Sequence, residues 1–278
     1  TDEPHVVDQR PSIAFSGDPG SAQVAGMEYA TAVRVGREMR PGRVVLRDFD
    51  FRKPRYELMG RAEVETAREN LLEQYAYVPG SFKTEGHAES DTPTADDLGV
   101  ARAEESTGVS LARRMLEGER VRRRTVSFET NAYDLFPGTT FSLSEHPRTE
   151  LASTTKLLVQ SFELSGEVAE PEEWVARVQS VFTDTPYRPL MITPKPKITG
   201  PQSAIVVGPE AETVYTDEFG RVRVQFHWDR NGKFDPASSC WMRVSQGWAG
   251  PGYGLFNLPR VGHEVLVEFV EGDPDQPI

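Results

Sequence analysis

Residues 216–235 read TDEFGRVRVQFHWDRNGKFD. The stretch holds six carboxylates or amides, four basic side chains, a histidine and a tryptophan, enough polar chemistry for an active site. Its order argues otherwise. Residues 221–228 alternate strictly, with Val222, Val224 and Phe226 on one face and Arg221, Arg223, Gln225 and His227 on the other, the period of a half-buried strand. Gly220 stands at the entry to that strand, free to take a positive φ. Asn231-Gly232 stands at its exit and is the strongest short hairpin signal. Most of the carboxylates fall at these turns, where they bond their own backbone. The stretch therefore predicts a β-hairpin and no catalytic residues.

Moving outward, SAIVVG (203–208), CWMRVSQ (240–246), GLFNLP (254–259) and EVLVEFVEG (264–272) read as further short strands. Several short strands in so few residues suggest a small barrel of the OB type. Upstream, residues 184–201 contain five prolines, which fix φ and remove backbone donors, so they predict a stiff extended connector. Within GWAGPGYGLFNLP (247–259), Trp248, Tyr253 and Phe256 are interleaved with four glycines. Two readings stay open there, a loop capping the barrel and an aromatic contact surface for another subunit. GDPDQP (272–277) is a sharp acidic turn, and the strand that would close a five-stranded barrel is expected beyond Ile278, so the chain reads as a fragment.

The first two-thirds is also mostly extended. VVLRDFDFRKP (44–54), LLEQYAYVPG (71–80), TVSFETN (125–131) and KLLVQSFELSG (156–166) read as strands, with LFPGTT (135–140) as a tight turn. A helix is predicted from about 95 to 120, opened by a capping box of Thr94 and Asp97, with Leu111, Met115 and Leu116 on one face. Gly99 and Gly108 weaken it by about 1 kcal/mol each. EEWVARVQSVF (172–182) fits a helix or a strand by pattern.

Composition narrows the chemistry. Net charge is −12 over 278 residues, and both parts of the chain are acidic, which disfavours nucleic acid as a partner. The N-terminus lacks the basic and apolar regions of a signal peptide. Cys240 is the only cysteine, which excludes an internal disulfide and a cysteine zinc site, and its apolar neighbours predict a buried small hydrophobe. An EF-hand starting at Asp229 fails, because its fifth and twelfth positions are Lys233 and Cys240. The five histidines show no metal-ligand spacing, and no nucleophile elbow or phosphate loop occurs. Neither a metal nor a cofactor is expected. RRMLEGERVRRR (113–124) is locally basic; it reads as a solvated helix end or a face for an acidic protein partner.

GPQSAIVVGPE, TDEFGRVRVQFHWDRNGKFD, SSCWMRVSQGWAGPGYG and PRVGHEVLVEFVEGDPDQPI, in that order, closely resemble the VgrG spike family of type VI secretion systems. LRDFDFRKP, YAYVPGSF, DLFPGTTFSL and PYRPL extend the resemblance upstream. It implies a mainly β chain with minor α: a partial tube-docking hub domain of the phage tail type over 1–183, a linker over 184–200, and an OB-fold barrel over 201–278 with its final strand missing. The hub's barrel-like build selects a strand at 172–182. The resemblance further implies a homotrimer without enzymatic activity. Its partners would be an Hcp-type tube ring, the baseplate, effector proteins and, through a needle beyond this chain, a PAAR-type tip. It would wait in the bacterial cytoplasm and be secreted on firing. Trp248, Tyr253 and Phe256 would then pack against other subunits or the needle base. A stand-alone OB-type binding module and a phage or tailocin hub are the alternatives, with a cell-wall hydrolase as the enzymatic rival.

Overall fold

The computed structural model describes residues 9–18, 20, 26–50, 55–64, 68–84, 102–103, 105–166, 174–190 and 192–278. Packing divides the chain into two compact units, Thr1–Val45 with Arg61–Gln74 and Ala112–Met191, and Leu46–Gly60 with Tyr75–Leu111 and Ile192–Ile278.

The chain opens with β1 (Ile13–Phe15), β2 (Tyr29–Arg37), β3 (Arg43–Asp48), β4 (Leu58–Glu63) and β5 (Glu73–Tyr77). The short pair β6 (Lys83–Thr84) and β7 (Arg102–Ala103) precedes helix α1 (Glu105–Arg120). Then come β8 (Arg124–Thr130), β9 (Thr140–Phe141), β10 (Leu143–Ser144), β11 (Leu157–Ser165) and β12 (Val175–Phe182).

Seven of these form one sheet in the order β10-β1-β2-β8-β12-β11-β9. The two ends of that order, β9 and β10, are separated in sequence only by Ser142. β9 pairs with β11 on one side and β10 pairs with β1 on the other, while the Ile13 N–H donates to the Ser142 carbonyl at 3.0 Å. The segment 140–144 thus stitches the sheet into a near-closed barrel and leaves little free edge. Ile13, Val126, Phe128, Phe141, Leu157 and Val178 fill the interior.

β12 settles the ambiguity at 172–182. Ala176, Val178 and Ser180 are buried while Arg177 and Gln179 are exposed, a period of two that no helix produces. Ser180 survives inside because its hydroxyl donates to the Val126 carbonyl at 3.0 Å. Residues 172–173 of that prediction lie outside the described residues.

The helix is shorter than expected. It starts at Glu105, since 102–103 pair as a strand, and Thr94, Asp97 and Gly99 lie outside the described residues. Its buried stripe runs through Gly108, Ala112 and Leu116, with Leu111 and Met115 only half buried. Gly108 serves packing: a Cβ there would lie 2.1 Å from the Phe82 ring. A separate three-stranded sheet has β3 between β4 and β5. β3 ends at Asp48, whose buried carboxylate accepts from the N–H groups of Phe49 (2.7 Å), Gly80 (2.9 Å) and Phe82 (3.1 Å).

In the second unit β13 (Gln202–Val207) lies between β14 (Arg223–Phe226) and a strand at Glu264–Val267, all antiparallel. Ala204, Val206, Val222, Val224, Met242 and Val267 make its core. Two expected strands shrink: 240–246 contributes one bridge, Met242 to Val222, and 254–259 is irregular beyond Gly254. The strand at 264–272 stops at Val267 and gives way to a 3-10 turn, Val270–Gly272, where Glu271 takes a φ of 55°. Cys240 is only partly buried, though it packs on this core. The proline-rich connector is irregular, as its composition demands. It is held by the Ile198 N–H donating to the Gly272 carbonyl at 2.8 Å, and by Lys195 Nζ at 2.6 Å from both Asp273 and Asp275.

Candidate assembly surface

Of the strand read at 221–228, residues 223–226 form β14, and its polar side chains are covered, while His227 and Trp228 lie in the turn beyond it and are exposed. Arg221, Arg223 and Gln225 are buried along with Val222 and Val224. Before the strand, Asp217 Oδ1 accepts from the N–H groups of Phe219 (3.1 Å) and Arg221 (2.9 Å), and its Oδ2 accepts from Arg221 Nε at 2.6 Å. Gly220 has the positive φ (68°) that this turn requires. After the strand, residues 227–239 fold back over it. Gln225 Nε2 donates to Asp229 at 3.0 Å, and Arg223 Nη1 donates to the Pro236 carbonyl at 2.6 Å. The Arg223 guanidinium also lies 4.6 Å from the centre of the Trp241 ring.

The hairpin expected at Asn231-Gly232 is not formed. β14 pairs with β13, and the positive φ in the loop belongs to Phe234 (56°) rather than Gly232. Gly232 has another role: a Cβ there would lie 2.0 Å from Gln225 Nε2, so only glycine lets the loop close over that amide. Asp217, Arg221, Arg223, Gln225, Asp229 and Asp235 spend polar groups on internal bonds, which is why they read as chemistry and act as structure.

The aromatic stretch does form a hairpin. β15 (Ala249–Gly250) and β16 (Tyr253–Gly254) turn through Pro251-Gly252, with Gly252 at φ 81°. Trp248 and Tyr253 meet with ring centroids 5.9 Å apart. Phe256 stands apart from them, its ring 3.1 Å from where a Cβ on Gly220 would be. All three are open to solvent, at 67%, 60% and 70%. Leu255 beside them, Trp228 and Leu266 are equally open and were missed by the sequence reading. Trp228 stacks on Phe226 at 5.1 Å and donates its indole N–H to Gln202 at 2.9 Å. Leu266 carried a signal, since it alternates out of phase with the core residues Val265 and Val267.

Beside the hairpin runs an open groove of about 740 Å³, floored by the core residues Val222, Val224, Met242 and Val267 and rimmed by Leu255 and Ile278. Ile278 and Glu268 exchange backbone hydrogen bonds of 2.8 and 2.9 Å along this rim. In the connector, burial works against the charge on Lys195, but Asp273 and Asp275 outweigh that and hold its pKa above the ordinary value. The lining of the groove mixes its apolar area with polar side chains, among them Arg243, Ser245, Arg260, His263 and Glu268. Among the described residues no three His, Cys, Asp or Glu side chains are grouped to hold a metal ion, and no helix is long and apolar enough to cross a membrane.

Residues 1–169 match the family described as phage tail baseplate hub (GPD). Residues 204–278 match the type VI secretion system/phage-baseplate injector OB domain. Among curated relatives, type VI secretion system spike protein VgrG4b of Pseudomonas aeruginosa is 39% identical over 257 residues, covering 86% of this chain and 29% of that protein. VgrG1c of the same organism is 35% identical over 250 residues, covering 88% and 32%. The chain thus spans about a third of the length of these relatives. Among solved structures, the E. coli c3393 protein, a type VI secretion component described as similar to phage T4 tail proteins gp27 and gp5, aligns at 13% identity and TM-score 0.48, over 99% of this chain and 49% of that one.

Proposed function

The chain belongs to the phage tail baseplate hub family, and on that premise we propose that it forms the hub and collar of a type VI secretion spike, as a structural part and not an enzyme. The observation that carries this reading is the order of parts: a hub match followed in one chain by an injector OB match. In this reading residues 1–183 dock on the Hcp-type tube ring, 184–200 link, and 201–278 support the needle. Three copies assemble, seat on the baseplate, and carry effector proteins and a PAAR-type tip through parts of the spike beyond this chain. They wait in the cytoplasm and leave through the type VI apparatus.

The physical logic supports it. A part that is driven through a membrane needs sheet with few free edges and no reliance on oxidation, and the stitched barrel and single Cys240 meet both needs. Trp248, Tyr253 and Phe256 present rigid apolar area on glycine-built turns, suited to packing against a second copy or the needle base. The test is secretion from cells carrying Trp248→Ala with Tyr253→Ala in the full-length protein. Export of spike and tube protein should fall at least about tenfold while the purified variant keeps its thermal midpoint within a few degrees. Unchanged export would count against the assembly role of this surface.

A further inference from the structure

The Asn231-Gly232 pair has the sequence of a hairpin turn, and the structure does not use it as one. It leaves a reactive dipeptide on the loop 227–239, which folds back over β14. Asparagine is thermolabile, because the main-chain nitrogen of the next residue can attack its side-chain amide. A side chain on that next residue shields the nitrogen and restricts its approach, whereas glycine does neither.

The chain has four asparagines, and three of them are guarded. The Asn131 amide is held at both ends: Oδ1 accepts from the Tyr29 N–H at 2.9 Å, and Nδ2 donates to the Met27 carbonyl at 3.0 Å. The nitrogen that follows it is held as well, the Ala132 N–H donating to Thr130 Oγ1 at 3.0 Å. Asn70 has its Oδ1 buried and is followed by Leu71. Asn257 is exposed, but Leu258 follows it. Asn231 combines an exposed side chain, an amide that makes no hydrogen bond among the described residues, and a glycine directly after it.

Packing keeps the glycine in place. Any side chain at 232 would slow the attack, yet a Cβ there would lie 2.0 Å from Nε2 of the buried Gln225. The loop closes over that amide only with glycine, so the fold retains the most reactive neighbour an asparagine can have. The restraint on the reaction comes from Asp229. Its Oδ1 accepts from the Asn231 N–H at 3.0 Å, and its carbonyl accepts from the Gly232 N–H at 3.3 Å. The second bond, on the attacking nitrogen, is longer than the usual range and holds that nitrogen weakly.

We propose that Asn231 is a site of spontaneous covalent modification of the folded chain, through a succinimide. The Gly232 nitrogen loses its proton to solvent base and forms a bond to Asn231 Cγ. The Cγ–Nδ2 bond breaks, and Nδ2 takes up a proton and leaves as ammonia. Water then opens the ring at one of its two imide C–N bonds. Opening at Cγ leaves aspartate. Opening at the main-chain carbonyl carbon of residue 231 leaves isoaspartate, with one extra methylene in the main chain. Water is the only co-reactant. Both products add a negative charge close to Asp229. Isoaspartate also moves Gly232 off Gln225, so the loop that covers Gln225 and Arg223 loses its seat. The inference is independent of the spike reading.

The experiment stores the purified, folded chain for several weeks in mildly alkaline buffer and maps its peptides by mass spectrometry. The fragment containing residue 231 should gain about 1 Da, and part of it should accept a methyl group from isoaspartyl methyltransferase. Fragments containing Asn70, Asn131 and Asn257 should convert at least about tenfold more slowly. Raising the pH should speed conversion at 231, since the attacking nitrogen must lose its proton, and Asn231→Gln should abolish it. Freshly purified Asn231→Asp separates charge from main-chain length. It should keep wild-type hydrogen exchange over 227–239, whereas isoaspartate-bearing chains should exchange there at least about tenfold faster. The free peptide HWDRNGKFDP in the same buffer gives the unshielded rate. If the peptide converts and the folded chain keeps Asn231 intact, Asp229 shields the site and the proposal is overturned. If all four asparagines convert at similar rates, selection by Gly232 is overturned. Equal exchange in wild-type and isoaspartate-bearing chains would overturn the effect on the loop.

Discussion

Gly232 shows how one position carries two different messages. In sequence it follows Asn231 and reads as a turn residue, yet its φ is ordinary and its missing Cβ is what the fold uses. Gly232→Ala should therefore destabilise the C-terminal unit by about 1–3 kcal/mol, read as a lowered urea midpoint at constant slope. A neutral result would mean that the loop shifts to accept the methyl group. Glu69 makes a second test. Burial opposes its ionisation, but hydrogen bonds and charge from Arg120 and Arg123 outweigh burial and hold its pKa below the usual 4.5. A carboxyl with a depressed folded pKa contributes stability that is complete above its unfolded pKa and is lost as pH falls through the folded one. Glu69→Gln should therefore flatten the loss of stability between about pH 5 and pH 3 relative to wild type, measured by denaturant midpoints across that range.

In helix α1, propensity and packing can be set against each other. Gly108 and Gly118 both lie inside it, and intrinsic propensity favours alanine at either by about 1 kcal/mol. At Gly118 a Cβ would make ordinary contacts, 3.6 Å from the Pro189 carbonyl oxygen and 3.7 Å from Arg188 Cβ. Gly118→Ala should raise stability. At Gly108 the Phe82 ring and the close backbone approach of Gly60 leave no room, so Gly108→Ala should lower it by about 1–3 kcal/mol despite the better propensity. Thermal melts of the two variants should move in opposite directions, and a rise for both would show that α1 slides without cost. β12 carries the complementary lesson. Its valines fit either period, and what selects the strand is a hydrogen-bonded neighbour on each side, β8 and β11.

For the molecule as a whole, the two hydrophobic clusters share no residue, one inside the seven-stranded sheet and one under β13 and β14. Val224→Ala removes two buried methyl groups from the second and should lower its stability by about 2 kcal/mol. Three of the four tryptophans, Trp228, Trp241 and Trp248, lie in that part and weight fluorescence toward it, with Trp174 in the first unit, while far-UV circular dichroism is weighted toward the larger sheet. The fluorescence transition should move and the dichroism transition should not. A single transition displaced equally in both signals would mean that the two cores unfold as one. The proposed spike role adds its own constraint: assembly held by aromatic packing at Trp248 and Tyr253 should be little affected as salt rises.

Composition and local pattern were enough to announce sheet, connector and barrel. The alternation at 221–228, the five prolines and the Gly220 turn each report a preference set within a few residues, and such preferences are visible in the chain itself. The long run of motifs from 201 onward was likewise enough to name the family. What lay beyond reach were contacts between residues distant in sequence. Nothing near Arg221, Arg223 or Gln225 says that a loop will cover them, nothing near Ser142 says that its segment joins both ends of one sheet, and nothing in RRMLEGERVRRR says that Glu69 will gather Arg120 and Arg123. Burial and charge pairing depend on which surfaces meet, and that is settled when the chain has folded.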